Sequence, residues 1–266
     1  MLINTILLFL QSALPIFIVI SLLLLRFTTT SASLFTNKNL SFIIVLAISL
    51  VFLLSQYMEG ISQLFDGKGT ELVFSLGFIL IYFCSALLFL FDNKDRLINV
   101  KKILALMVFL LVLSLNGSHF ILYLTSYWTQ SLPLSSGVES LFIGIILAVG
   151  ICVSFAILLY FLLRYSDTSI HIKTSCYFLL FFATGQLMQS IVLLQQVDVL
   201  PLSSIIWNST DFIAEKSEFG QLLRVLFGYE TTPSFMQLII YLTAFTVPVF
   251  ISKSRYFFRL AYGEKS

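Results

Sequence analysis

MLINTILLFLQSALPIFIVISLLLL, residues 1–25, contains no charged side chain. About 20 apolar residues in a helix cross the ~30 Å hydrocarbon core of a bilayer, so this stretch is long enough to span one. It lacks the basic leader of a secretory signal, and it exceeds the usual apolar region of about 7 to 15 residues in such signals. It therefore reads as a retained helix. Working outward, charge-free stretches of similar length recur at 39–58, 72–91, 103–138, 140–163, 174–197 and 231–252. The longest holds one helix and an uncharged turn around Pro133, which breaks it.

The composition agrees with this pattern. Of 266 residues, 59% are hydrophobic and 11% charged, against roughly 25% charged in a soluble domain. So little polar side chain cannot cover a surface facing water, and most of the surface must face lipid. The expected fold is all-α: one polytopic membrane domain over residues 1–266, with seven spans at about 2–25, 40–58, 72–91, 103–128, 140–163, 175–197 and 234–252. Cys84, Cys152 and Cys176 lack CxxC spacing and read as small apolar packing residues.

Charge placement orients the chain. If the spans alternate, Arg26, Lys38, Lys94, Arg96, Lys101, Lys102, Arg164, Lys173, Lys253, Arg255, Arg259 and Lys265 share one side, and only Lys68, Lys216 and Arg224 take the other. The basic side is expected to be cytoplasmic, which puts the N-terminus outside and the C-terminus inside. The net charge of +2 is too small to imply nucleic-acid binding. Most acids fall outside, among them Glu59, Asp66, Glu71, Asp198 and Glu230. They serve either simple loop solvation or a funnel that attracts cations.

Between the last two spans, Phe219, Leu222, Leu223, Leu226 and Phe227 recur at helical spacing before Gly228. This predicts an outer interfacial helix at about 218–228. Trp207 and Tyr229 suit the headgroup level. Asn208-Ser209-Thr210 fits a glycosylation sequon, a short pattern that matters only in a secretory-pathway protein.

No dinucleotide fingerprint, P-loop, zinc-protease helix or nucleophile elbow is present, and His119 and His171 stand isolated, so an enzyme is not expected. The informative feature is a correspondence between two halves. Spans one to three and four to six enter from opposite sides, as in an inverted repeat. Gln11, Ser12 and Pro15 occupy the middle of span one, and Asn116, Gly117, Ser118 and His119 the middle of span four. Interrupted helices at matching positions point to a midplane pathway, with Gln11, Ser12, Pro15, Asn116, Ser118 and His119 as candidates. The alternative is that small polar residues join helices. In span six, Gln186, Gln189, Gln195 and Gln196 have the same two readings, interhelical bonding or a polar pore surface.

At these residues the chain resembles the oxidase-dependent high-affinity iron permeases, a family with yeast plasma-membrane and bacterial Efe-system members. The resemblance runs nearly end to end. It is most specific in Ala183-Thr184-Gly185, Gln195, Val199-Leu200-Pro201, Trp207, Phe219-Gly220-Gln221-Leu222-Leu223, Leu226-Phe227-Gly228-Tyr229, Pro233-Ser234 and Tyr241. It implies iron uptake across an inner or plasma membrane. Iron would be the substrate rather than a bound cofactor, and the partner a periplasmic or extracellular iron-binding protein or oxidase.

The family carries Arg-Glu-x-x-Glu in the first and fourth spans. Those charged positions fall here on Gln11, Ser12 and Pro15, and on Asn116, Gly117 and Phe120. An acid near the start of span three falls on Phe74, and the His and Glu of span six fall on Val192 and Leu193. No iron ligand carries over, and the metal-binding residues stay unassigned. Besides iron transport, two functions remain open: a non-transporting membrane subunit or docking partner that kept the fold, and a permease for another small solute.

Overall fold

The computed structural model describes residues 2–28, 37–63, 65–92, 97–131, 135–169, 173–201, 203–214 and 217–261. Lys94, Arg96, His171, Glu215, Lys216, Lys265 and the Pro133 turn lie outside these residues. The described chain is helical: α1 (Leu2–Thr28), α2 (Asn37–Gln63), α3 (Gly69–Leu90), α4 (Ile98–Ser131), α5 (Ser135–Ser169), α6 (Thr174–Gln196), α7 (Glu218–Phe227) and α8 (Phe235–Ala261). Among the described residues, α1, α3, α4, α5, α6 and α8 are long and apolar enough to cross a membrane, and α2 carries a shorter apolar run, Ile44–Tyr57.

Several helices outrun their charge-free stretches. α4 begins before Lys101 and Lys102, and α5 continues past Arg164 and Asp167. Charge sets where hydrocarbon must end. It does not stop a helix, whose backbone bonds continue unchanged into the headgroup layer. Pro15 and Gly117 also leave α1 and α4 unbroken, against the interruption their residue types suggested. At Gly117 a Cβ would lie 2.9 Å from the Val51 side chain, so this glycine serves the approach of α2 to α4.

Lipid-facing surface is plain on α5, where Ile143, Ile146, Leu147, Leu158, Phe161 and Leu162 are all exposed at helical spacing. Inside, Ile18, Val19, Leu22 and Leu23 of α1 pack with Ile81, Leu88, Val108, Val112 and Phe182 into one apolar core. The largest interhelical contacts join α3 to α6, α1 to α5, α2 to α4, α1 to α4 and α3 to α4. Cys84, Cys152 and Cys176 are buried free thiols.

One end of the bundle is tied by charge. Arg26, at the end of α1, donates to the Leu88 carbonyl at 2.5 Å and to the Asp92 carboxylate at 3.0 Å. Lys173 reaches the other Asp92 oxygen at 2.5 Å, and Lys101 reaches the Asp92 carbonyl at 2.7 Å. Burial alone would raise the Asp92 carboxyl, but Arg26, then Lys173 and Lys101, hold it below its ordinary value. The Asp167 carboxylate accepts from the Ser175 N–H at 3.0 Å in the first turn of α6, where negative charge complements the helix dipole. At the opposite end, Lys68 bonds the Val197 carbonyl at 2.8 Å.

The segment between α6 and α8 is ordered by backbone bonds. Ile206 N–H donates to the Pro233 carbonyl at 3.1 Å, Ser209 N–H to Thr231 at 2.9 Å and Phe235 N–H to Ser204 at 3.1 Å. Ser217 caps α7 by accepting from Gly220 N–H at 3.0 Å. Gly228 closes it at φ 68°, a left-handed conformation that glycine adopts without a Cβ clash. Tyr229 and Ser209 hydroxyls meet at 2.7 Å. The side-chain carbonyl of Asn208 accepts from Thr210 N–H at 2.9 Å, forming a local turn at the sequon.

Candidate functional site: a polar cavity between α1, α4, α6 and α7

Between α1, α3, α4, α6 and α7 lies an open cavity of about 330 Å³. Leu8, Gln11 and Ser12 of α1 line it with Asn116 and His119 of α4. The α6 wall is Gln189, Val192, Leu193 and Gln196; Phe78 closes one side, and Arg224 and Val225 of α7 another. Of the residues singled out in spans one and four, Gln11, Ser12, Asn116 and His119 thus line one space. Below it, toward the charged end, Ile18, Val19, Leu22, Val108 and Val112 pack at 0–2% exposure. The cavity is closed in that direction.

Each wall residue owes its place to local helix geometry. Gln11 and Ser12 sit one turn before Pro15, which is buried within α1. Lacking an N–H, Pro15 withdraws the helical bond that the Gln11 carbonyl would otherwise accept, leaving that acceptor beside the cavity. Asn116 is 6% exposed and donates one amide N–H to the Val112 carbonyl at 2.9 Å, which fixes its side chain. His119 stacks against Phe74 with ring centroids 4.2 Å apart, and this contact orients the imidazole.

Ser118 behaves differently from its neighbours. It is fully buried, and its hydroxyl donates back to the Leu115 carbonyl at 2.8 Å. Back-bonding of this kind satisfies a helical serine within its own turn. Neither Ser118 nor Pro15 is among the cavity-lining residues.

The glutamines of α6 divide between roles. Gln189 and Gln196 line the cavity. The side-chain carbonyl of Gln195 accepts from the Gln237 amide of α8 at 3.1 Å, an interhelical bond. Gln186 and Ser190 are completely buried, and among the described residues their side-chain polar atoms find no hydrogen-bond partner.

Arg224 is the residue that sequence reasoning did not find, since it lies in a segment read as an outer helix with an apolar face. α7 does bury apolar residues, but Val225 and Leu226 are the deepest, and Phe219 is 60% exposed. Helical periodicity then brings Arg224, adjacent to Val225, to the cavity wall. A second, apolar cavity of about 420 Å³ adjoins the first and shares Gln11 and Val225 with it; Leu10, Leu14, Ile151 and Leu222 form much of its wall.

In chemical terms the polar cavity offers amides, a hydroxyl, an imidazole and a guanidinium, with no carboxylate among its lining residues. Among the described residues, no three His, Cys, Asp or Glu side chains gather as a metal site. The six long apolar helices mark a multi-pass membrane protein, with an open cavity of mixed polar and apolar lining between its helices. Comparison with protein-family models, curated proteins and solved structures finds no match.

Proposed function

We propose that this chain is a membrane permease in which a small polar solute crosses between α1 and α4. The carrying observation is the shared open cavity of Gln11, Ser12, Asn116 and His119, polar groups from two otherwise apolar helices, with Asn116 buried and Gln11 and His119 exposed at its mouth. Polar groups at that depth are costly unless a partner, water or a solute meets them, so a chamber lined by them is a natural crossing point. In this arrangement seven helices span the bilayer, α2 among them, and α7 lies at the outer interface. The N-terminus is outside and the C-terminus is in the cytoplasm, in an inner or plasma membrane. The gathering of Arg26, Lys101 and Lys173 at one end of the bundle supports that orientation.

Two inverted halves, α1–α3 and α4–α6, followed by α8, complete the proposed architecture. The packing supports it. Exchanging α1 with α4, α2 with α5 and α3 with α6 carries the α1–α5 contact onto α4–α2, leaves α1–α4 and α3–α6 unchanged, and carries α2–α3 onto α5–α6. The solute would enter from the α7 side. Passage would then require the apolar layer around Ile18 and Val112, and the Arg26–Asp92 tie, to part.

The resemblance to iron permeases proposes iron as that solute, delivered by an iron-binding protein or oxidase. The wall chemistry favours a different one. Ferric iron prefers anionic oxygen ligands, whereas the lining residues supply neutral groups and one guanidinium. A unit charge left without compensation at bilayer depth costs about 3 kcal/mol even on the mildest insertion scales. A small hydrogen-bonding solute other than iron is therefore the reading that the cavity supports best. Loss of the family carboxylates also supports the reading of a non-transporting subunit.

Uptake into proteoliposomes tests these together, with radioactive iron and a panel of small polar solutes, comparing the unmodified chain with Asn116→Ala and His119→Ala. Saturable uptake of one solute that both substitutions weaken supports the permease. Uptake of iron alone supports the family reading of the solute. No uptake of any solute, with a second membrane protein co-purifying, supports the subunit.

A further inference from the structure

We propose that Gln186 of α6, together with Ser190, forms a binding step one helical turn beneath the cavity, and that this step selects a small neutral solute carrying both a hydrogen-bond donor and an acceptor. This inference rests on the permease reading above and names its substrate class.

Gln186 and Ser190 are both completely buried, at 0% exposure. Among the described residues, neither the amide nitrogen nor the amide oxygen of Gln186 has a hydrogen-bond partner, and the Ser190 hydroxyl has none either. Buried polar atoms are nearly always satisfied, because an unmet one forfeits its bonds to water with nothing in return. Other buried polar side chains of the bundle follow that rule. Ser114, Ser118 and Thr184 bond carbonyls of their own helices, and Gln195 bonds Gln237 of α8. Back-bonding is open to any serine within a helix, yet Ser190 does not use it.

Position gives the pair its meaning. Gln186 lies three residues from Gln189, and Ser190 three from Leu193; Gln189 and Leu193 both line the cavity. Side chains three or four apart share a helix face, and three residues rise about 4.5 Å. The polar stripe of α6 thus runs from Gln196 and Gln189 at the cavity down to Gln186. Phe182, one turn further toward Lys173, is fully buried in the apolar core with Ile18, Val19 and Val108. Gln186 is therefore the last polar group on this face before the apolar layer that closes the cavity, where a solute moving inward would pause.

The chemistry of the pair sets the class of solute. The amide offers N–H donors and a carbonyl acceptor, and the hydroxyl can act as either, so a solute meets both ends of Gln186 only if it carries a donor and an acceptor of its own. Charge is disfavoured at this depth. Among the buried described residues Arg26 alone is charged, and it is bonded to Asp92 at the end of the bundle. An ion beside Gln186 would thus lack a counter-charge. The entrance admits only a small molecule, because 330 Å³ is the room of about ten waters at ~30 Å³ each. Urea and glycerol meet all of these conditions.

The test uses the full chain in proteoliposomes, with labelled urea and glycerol as neutral probes and lactate and ferrous iron as charged ones, beside thermal unfolding of the same proteins in detergent. Saturable uptake of urea or glycerol is expected, in preference to lactate and iron. Gln186→Met keeps the side-chain length and removes both polar atoms. It is expected to lower that uptake about tenfold while unfolding at no lower temperature than the unmodified chain, since no protein bond is lost. Ser190→Ala is expected to lower uptake by a smaller factor. Unchanged uptake in Gln186→Met would make the glutamine a packing residue and overturn the inference while leaving the permease intact. Preferential uptake of lactate or ferrous iron would overturn the solute class, again with the permease intact. Absence of saturable uptake for all four probes would overturn both. If Gln186→Met does not fold, Ser190→Ala decides, and unchanged uptake in that variant contradicts the proposal.

Discussion

Gly185 of α6 and Gly228 at the end of α7 meet backbone to backbone. A Cβ on Gly185 would stand 2.8 Å from the Gly228 nitrogen and 3.0 Å from the Phe227 carbonyl carbon, and a Cβ on Gly228 would stand 2.8 Å from the Gly185 Cα. This contact seats α7 on the bundle and with it Arg224 and Val225 at the cavity wall.

Gly185→Ala is therefore expected to lift α7, because both close atoms belong to the backbone and cannot rotate away. Overpacking of this kind costs about 1 to 3 kcal/mol. Gly228→Ala should cost more, since its φ of 68° adds left-handed strain of roughly 1 to 2 kcal/mol. Thermal unfolding in detergent measures both, and equal stability of all three proteins contradicts the close contact.

Asp92 is expected to make the charged end sensitive to acid. Its carboxyl is held below the ordinary value, so the ionised form favours the folded state. That stabilisation is complete above the unfolded carboxylate value of about 4 and is lost as pH falls through the depressed folded value. Asp92→Asn should lower stability at pH 7 by about 3 kcal/mol, because Arg26, 8% exposed, loses its carboxylate partner. The difference between variant and unmodified chain should shrink as pH falls below about 4. A difference that is constant with pH would argue against the ionised carboxylate as its source.

The start of α8 rests on a reciprocal pair. Ser234 N–H donates to the Gln237 side-chain carbonyl at 2.7 Å, and Gln237 N–H donates to the Ser234 hydroxyl oxygen at 3.3 Å. This is a capping box, and the Gln237 amide also donates to Gln195. Gln237→Ala is expected to cost about 1 to 2 kcal/mol, and Gln237→Glu to keep the cap while losing the amide donor. Unfolding midpoints ranking the unmodified chain above Gln237→Glu and Gln237→Ala lowest are predicted; the reverse order for the variants sinks the capping account.

The membrane-spanning helices are legible in the sequence because charge is excluded from hydrocarbon, which leaves runs such as 72–91 and 174–197 uncharged. Helix ends are less legible, as Lys101 and Arg164 show, since a helix leaves the bilayer without unwinding. Gln11, Ser12, Asn116 and His119 stand out as polar residues at the centre of apolar runs, beside a proline or a glycine. Ser118 shares that signal, yet it sits about 100° around α4 from His119 and turns to its own backbone. Arg224 carries no such signal. Its placement depends on the Gly185–Gly228 approach between segments more than forty residues apart, and no local periodicity records that contact.

The central claim is that α1 and α4 face each other across a water-accessible polar chamber. Thiol accessibility tests it most directly, using single cysteines at Ser12, Asn116, Ser118 and Ile18 in a background with Cys84, Cys152 and Cys176 replaced by Ala. With a membrane-impermeant thiol reagent added from the α7 side, the cysteines at 12 and 116 are predicted to react and those at 118 and 18 to stay protected. Protection at all four positions, or equal reaction at all four, contradicts the chamber.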